Sequence, residues 1–206
     1  MNSYTASYGP LISHYVQRFK ETIDNALKEY PRVFALRVDL RLPDNEDQSD
    51  NEDSTLITRF ITSMKAQIRA DLCRKKQAGK RTYPCRVRYI WVREFNMDEK
   101  KHYHVLLLLN KDAYAYPGNY RQLGSDLNIG GFISMVNKAW LRTLKRSDKN
   151  YHTLTYVPKN AFYHLNRKNG ETHHEYLDLI DRVNYMAKER SKSNADGQRC
   201  FGCSQS

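Results

Sequence analysis

Between Arg32 and Leu42 apolar and polar residues alternate. Phe34, Leu36, Val38, Leu40 and Leu42 fall on one side of an extended chain, and Ala35, Arg37, Asp39 and Arg41 on the other. A period of two predicts a strand with one buried and one polar face, because successive side chains of a strand point to opposite sides. A second alternation runs from Arg86 to Phe95, with Val87, Tyr89 and Trp91 against Arg88, Ile90 and Val92. A third stretch, His102 to Leu109, ends in a run of leucines. A turn around Asn96 to Lys100 makes the last two strands an antiparallel hairpin.

Elsewhere the apolar residues recur every three or four positions. Leu11, Ile12, Tyr15, Val16, Phe19, Ile23 and Leu27 predict an amphipathic helix over residues 11 to 29, ended by Tyr30-Pro31. After Ser54, a candidate N-cap, Ile57, Phe60, Ile61, Met64, Ile68 and Leu72 predict a second helix to about Gln77. Gly131 to Lys145 predicts a third and His174 to Lys192 a fourth. Tyr151 to Pro158 reads as a further strand with a break near Pro158, and Asn160 to Leu165 as its candidate partner. The stretch from Lys111 to Asn128, rich in Tyr, Gly and Asn, predicts a loop, and the residues from Asn194 on a loosely ordered tail. The chain therefore reads as one domain over 1–193 with a tail at 194–206.

Charge narrows the partners. The 206 residues carry a net charge of +11, which favours a polyanion, with nucleic acid ahead of an acidic membrane surface. The acidic run Asp44 to Asp53 holds no base, so the remainder is more basic still; without the central glycine of a calcium loop it reads as a solvated, mobile connection. No stretch is apolar enough to span a bilayer and no secretory leader is visible, so a cytoplasmic protein with no membrane partner is expected. Cys200 and Cys203 form a lone CxxC, while Cys73 and Cys85 supply no second pair, so ordinary reduced thiols are expected ahead of a zinc site.

Two constellations carry chemistry. His102 and His104, one residue apart on a strand, point to the same face and can grip one ion. Antiparallel pairing brings Glu94 opposite one of them, and two nitrogens with a hard carboxylate suit a catalytic divalent ion. On the last helix Tyr176, Leu179, Ile180, Val183, Met186 and Ala187 share one side, while Tyr185 falls nearly opposite with Lys188 on the same flank. An ammonium beside a phenol favours the phenolate or steadies a phosphate, so Tyr185 is a candidate nucleophile and Lys188 its assistant. The bases Arg74, Lys75, Lys76, Lys80 and Arg81 form either a solvated helix end or a phosphate contact. Tyr116 and Tyr120 are either surface tyrosines or stacking platforms for unpaired bases. Arg37 and Arg41, on the polar face of the first strand, are further candidates for approaching DNA.

Glu94 with His102-Tyr103-His104, followed by Tyr185-Met186-Ala187-Lys188, resembles the HUH endonucleases: rolling-circle initiators, relaxases and related transposases. Arg32 to Leu40, Trp91 to Glu94, His102 to Asn110 and Cys200 to Ser204 resemble more closely the replication proteins of filamentous phages and related prophage or satellite elements. The resemblance implies an α+β fold, a central antiparallel sheet of the strands at 32–42, 86–95, 102–109 and 151–157. Helices would cover one face and the other would hold the metal and the Tyr185 helix. It further implies Mg²⁺ or Mn²⁺ on Glu94, His102 and His104, and attack by Tyr185 on single-stranded DNA at an origin hairpin, giving a 5′-phosphotyrosine. A host helicase and polymerase in a bacterial cytoplasm would complete replication. The rivals are a single-strand transposase or relaxase of the same chemistry, a repressor that binds DNA hairpins without cutting, and a structural zinc protein using Cys200 and Cys203.

Overall fold

The run Val105 to Leu109 is apolar on both sides of an extended chain, and such a strand belongs where both faces are covered. In the computed structural model, which describes residues 9–44, 49–96, 99–118, 131–146, 153–192 and 195–205, it lies at the centre of the sheet. β3 (Lys101–Asn110) pairs with β1 (Arg32–Arg41) on one side and β2 (Arg88–Phe95) on the other. Two short strands, β4 (Thr155–Tyr156) and β5 (Phe162–Asn166), pair along the outer side of β1, and β6 (Phe201–Cys203) pairs along the outer side of β2. All of these pairings are antiparallel, so the fold is the α+β architecture that the alternation and the resemblance led us to expect.

The helices are α1 (Ser13–Glu29), the single turn α2 (Ser49–Glu52), α3 (Leu56–Gln77), α4 (Gly131–Thr143) and α5 (His174–Met186). Helices lie on both faces of the sheet; the helix carrying Tyr185 is on the second face, as expected, and α1 lies there beside it. α3 and α4 bury Phe60, Met64, Val136 and Trp140 against Leu36, Val38, Val105 and Leu107. On the opposite face α1 and α5 bury Phe19, Ile23, Leu179 and Val183 against Val33, Ala35, Ile90 and Leu106. A second helical cover follows from β1: its second face begins with Val33 and Ala35, apolar positions that water would penalise by about 25 cal/mol per Å² if left open.

Four features differ from the sequence expectation, three of them because a partner distant in sequence intervenes. The tail is ordered between Ala195 and Gln205. Arg93, which is 1 % exposed, ion-pairs with Asp196 and donates to the Gln198 carbonyl at 3.0 Å, so a buried charge fixes the segment that delivers β6 to the sheet. Helix α5 stops at Met186, because residues 10–12 claim the next backbone groups: the Ile12 amide donates to the Ala187 carbonyl (2.9 Å) and the Glu189 amide to the Pro10 carbonyl (3.0 Å). Part of the acidic run is structured too, as α2, and Asp44 pairs with Lys100 at 2.7 Å. The N-cap of α3 is Thr55, not Ser54, and makes no side-chain cap bond; its amide donates to Asp53 Oδ1 at 2.7 Å in the turn before the helix. Among the described residues no helix is long and apolar enough to cross a membrane.

Candidate active site

On the face covered by α1 and α5, the three central strands change character toward one end. Val33 and Ala35 of β1 are followed on the same side by Arg37 and Asp39; Ile90 and Val92 of β2 by Glu94; and Leu108 and Leu106 of β3 lead back to His104 and His102. The register pairs Glu94 with His102 and Val92 with His104 on one side of β3, and Asp39 with His104 on the other. The hairpin geometry expected from the alternation therefore holds.

One donor atom from each of Glu94, His102 and His104 lies within 4.8 Å of the others. Two donors each bound at about 2.1 Å lie at most about 4.2 Å apart, so small rotations would let all three share one ion. The neighbours orient the donors. His104 Nδ1 is 2.7 Å from Asp39 Oδ1, which only accepts, and 3.1 Å from the Arg37 guanidinium, which only donates; the shorter contact assigns the proton to Nδ1 and turns Nε2 toward Glu94 Oε2 at 3.5 Å. A carboxylate behind a ligating histidine fixes its tautomer and raises its basicity. Arg37, 4 % exposed, lies 3.3 Å from the same Asp39 oxygen and compensates its charge.

The electrostatics favour positive charge at the cluster. Burial opposes ionisation of Glu94, yet the His104 and Lys192 hydrogen bonds and charges outweigh it and hold the carboxyl far below its usual range. Asp39 is likewise lowered, burial being overcome by His104 and Arg37. His104 is raised, since burial is overcome by Asp39 and Glu94, whereas burial and the His104 charge push His102 down to about 4. Neutral His102 offers a lone pair, and the paired carboxylates offer charge for a cation to offset. The donor set fits a hard divalent ion.

Tyr185 turns its ring to this cluster. Its centroid is 6.5 Å from that of His104, with the Arg37 guanidinium at 5.5 Å and the Lys188 ammonium at 4.0 Å from the tyrosine ring. The helical-wheel expectation that Tyr185 avoids the core of its own helix thus has a cause: Tyr176, Leu179, Val183 and Met186 face the core, leaving Tyr185 to the polar end of the sheet. Lys188 lies just beyond the helix, 3.4 Å from Glu94 Oε2, and a bridge between Leu11 and Lys188 steadies it. Lys192, which the sequence reading left out, donates to Glu94 Oε1 at 2.5 Å. No periodic signal in the sequence marks it, because α5 ends at Met186 and a separate short turn, Glu189–Ser191, brings Lys192 back to Glu94. A cavity of about 470 Å³ opens beside the cluster, lined among others by Asp39, Arg41, Asn96, Lys100, His102 and His104.

The remaining candidates are elsewhere. Arg37 is buried against Asp39 and Tyr185, so it positions the site and is not a surface contact for DNA. Arg41 is exposed, stacks on Tyr156 at 4.7 Å and lines the cavity. Arg74, Lys75, Lys76, Lys80 and Arg81 lie at and beyond the C-terminal end of α3, on the other face and near the far end of β3, where Tyr114 bonds Asp71 at 2.8 Å. Eight residues of strand separate His102 from Asn110, roughly 26 Å, so these bases do not line the candidate metal site. Tyr116 is 65 % exposed at that same far end, its ring 5.1 Å from His164. Tyr120 lies outside the described residues.

Comparison with known proteins gives the lineage. The model of the YagK/YfjJ C-terminal domain family matches residues 1–204, and the chain belongs to that family. It is 37 % identical over 212 residues to the Escherichia coli (strain K12) protein YfjJ, covering 98 % of this chain and 99 % of the relative. It is 34 % identical over 211 residues to YagK of the same strain, covering 100 % of this chain and 99 % of the relative. No solved structure matches it.

Proposed function

We propose that this member of the YagK/YfjJ C-terminal domain family is a metal-dependent tyrosine endonuclease and strand transferase for single-stranded DNA, as its likeness to the HUH endonucleases implies. The observation that carries the reading is the convergence of Tyr185 on the Glu94–His102–His104 cluster, from a helix remote in sequence from all three. Mg²⁺ or Mn²⁺ held by these three residues would polarise the scissile phosphate and offset its developing charge.

The protein's own groups do the rest. The Tyr185 phenolic oxygen attacks phosphorus, the bond from phosphorus to the 3′-oxygen breaks, the phenolic proton passes to solvent and the leaving 3′-oxygen takes one up. The products are a 5′-phosphotyrosine and a free 3′-hydroxyl. Arg37 and Lys188 flank the phenol and hold it in place, and Lys188 with Lys192 fixes the Glu94 carboxylate. Because the phosphotyrosine retains the energy of the broken bond, attack by a 3′-hydroxyl reverses the step and rejoins the strand without ATP. An origin hairpin, a host helicase and polymerase, and the cytoplasm of a bacterial cell are the setting in which this chemistry initiates replication of a phage, satellite or plasmid element; in a transposase or relaxase the same step serves DNA transfer.

A second reading has one observation of its own. Lys188 and Lys192 already compensate Glu94, an arrangement a non-cutting hairpin-binding protein would also keep. The two are separated by incubating the chain with Mn²⁺ and labelled single-stranded DNA from the region beside its gene. A covalent adduct on a denaturing gel that vanishes with Tyr185→Phe and with chelator is the expected result. DNA binding with no adduct on any hairpin of that region would leave the repressor reading standing.

A further inference from the structure

The positive charge of the chain is not spread evenly. Residues 65 to 86 carry eight Lys and Arg against one acid, Asp71, which is already shared by Arg74 (3.0 Å) and Lys75 (2.7 Å). This segment lies on the face of the sheet away from the Glu94–His102–His104 cluster. A groove of about 410 Å³ runs there between α3 and the chain entering β2, with Lys65, Arg69 and Arg86 on its walls and Ile68, Leu72 and Cys85 on its floor. No acidic residue lines it, and Arg69 makes no ion pair with a described residue.

Two half-buried aromatics extend the floor along β2. Tyr89 lies under the Lys65 ammonium at 5.3 Å, and Trp91 follows on the same face. Opposite Trp91 in the sheet is Gly202, and a methyl there would come within 2.7 Å of the indole. The glycine therefore lets the indole lie over the backbone of β6, at the open edge of the sheet beside α3.

A solvated helix face would account for scattered lysines. It does not account for cations from two separate elements converging on an apolar floor that leads to an indole and a phenol. Phosphates along a basic wall with bases stacked on aromatic rings is how single strands are held without regard to sequence. We propose that the groove between α3 and the β2–β6 edge is a second binding track for single-stranded nucleic acid, using Lys65, Arg69 and Arg86 for phosphates and Tyr89 and Trp91 for bases. The inference stands whether or not the chain cuts DNA, because the track shares no residue with the metal cluster.

The two tryptophans make it measurable. Trp140 is completely buried, so quenching of intrinsic fluorescence by an added oligonucleotide reports Trp91. Titrating the full chain with a twenty-residue oligothymidylate should give saturable quenching that is abolished in Trp91→Phe. The triple variant Lys65→Glu, Arg69→Glu, Arg86→Glu should bind at least about tenfold more weakly, with a log–log salt slope flatter by about 2, since each lost phosphate contact of a single strand contributes roughly 0.7. Trp91 lies on the face away from the Glu94–His102–His104 cluster, so its quenching reports this track and not the proposed chemistry. The glutamine version of the triple variant, matched to wild type in its thermal melt, should show a smaller loss in the same direction. Absence of quenching, unchanged affinity in both triple variants, or tighter binding of a duplex of equal length would overturn the proposal.

Discussion

The face of the sheet under α1 and α5 has two ends built on the same three strands, and they differ in one property. At one end Val33, Ala35, Ile90, Leu106 and Leu108 are closed over by Phe19, Ile23, Leu179 and Val183. At the other end the same side of those strands carries Arg37, Asp39, Glu94, His102 and His104, facing Tyr185, Lys188 and Lys192. The opposite face shows no such change along β1, where Phe34, Leu36, Val38 and Leu40 are all buried and apolar. A strand needs only period-two spacing to change one face without disturbing the other. The apolar end supplies the stability that a buried polar cluster, with its desolvation costs, does not. The polar end is where the proposed chemistry would take place.

Breaking the two ends should have opposite signatures. Replacing His102 and His104 together by Ala should lower adduct formation by more than about a thousandfold, because it removes two of three ligands, and should abolish any rise of the melting temperature on adding Mn²⁺. The melt without metal should move little. An unchanged rate of adduct formation would remove these histidines from the chemistry. At the apolar end, Leu106→Ala should cost about 3 kcal/mol by opening a cavity under α1 and α5, a loss of roughly 6 to 12 °C for a chain of this size, with chemistry intact in the folded fraction. A melt within a degree of wild type would show that this end relaxes and is not the packed half of the comparison.

The sequence makes one part of this comparison plain and hides another. Alternation along β1, β2 and β3 located the strands, and the spacing of His102 and His104 with the turn before them set Glu94 opposite one of the two, which the register shows to be His102. The helical wheel of α5 placed Tyr185 away from its own core, although it could not say what Tyr185 would face. What stayed hidden depends on groups distant in sequence. Asp39 and Arg37 read as the wet side of an amphipathic strand, yet both are buried because His104 and Tyr185 cover them. The end of α5 is dictated by backbone partners at residues 10–12, and the order of the tail by a single buried guanidinium on Arg93. Neither leaves a periodic trace. The basic end of α3 was visible as charge, but only the topology shows that it faces away from the metal cluster.

The role of Asp39 sharpens the comparison further. It touches none of the three candidate donors except through His104 Nδ1, so it is a positioning residue. Asp39→Asn keeps the shape and removes the charge that holds His104 in one tautomer, and should weaken Mn²⁺ binding by about 10- to 100-fold. Calorimetric titration with Mn²⁺ reads this directly, and saturating metal should restore much of the adduct. Affinity equal to wild type would mean that His104 is oriented by Arg37 or by packing alone.

The smallest effect tests the other face at the same end of the sheet. Lys101, 1 % exposed, donates to the Asp53 carbonyl at 2.6 Å, and burial pushes its pKa down to about 8, the nearby Asp53 charge opposing and the Arg93 charge assisting. The folded pKa is thus below the ordinary value near 10.5, so between those limits the unfolded chain binds more protons than the folded one and stability rises with pH. Below pH 8 the full penalty of a buried ammonium is present. The Cys85 thiol, which burial pushes up to about 11 from an ordinary value near 9.0, acts in the other direction above about pH 8.5, where the unfolded thiol ionises first, and Tyr30 and Tyr176, whose phenols burial pushes up to about 12, do so at higher pH, so the comparison belongs below pH 8.5. The melting temperature should therefore rise between pH 7.5 and 8.5, by the equivalent of about half a kcal/mol. Lys101→Met should flatten that rise and be the more stable protein at pH 7. A rise of equal size in the variant would show that the buried charge on this face is compensated, and that the desolvation cost at this end falls on the metal cluster alone.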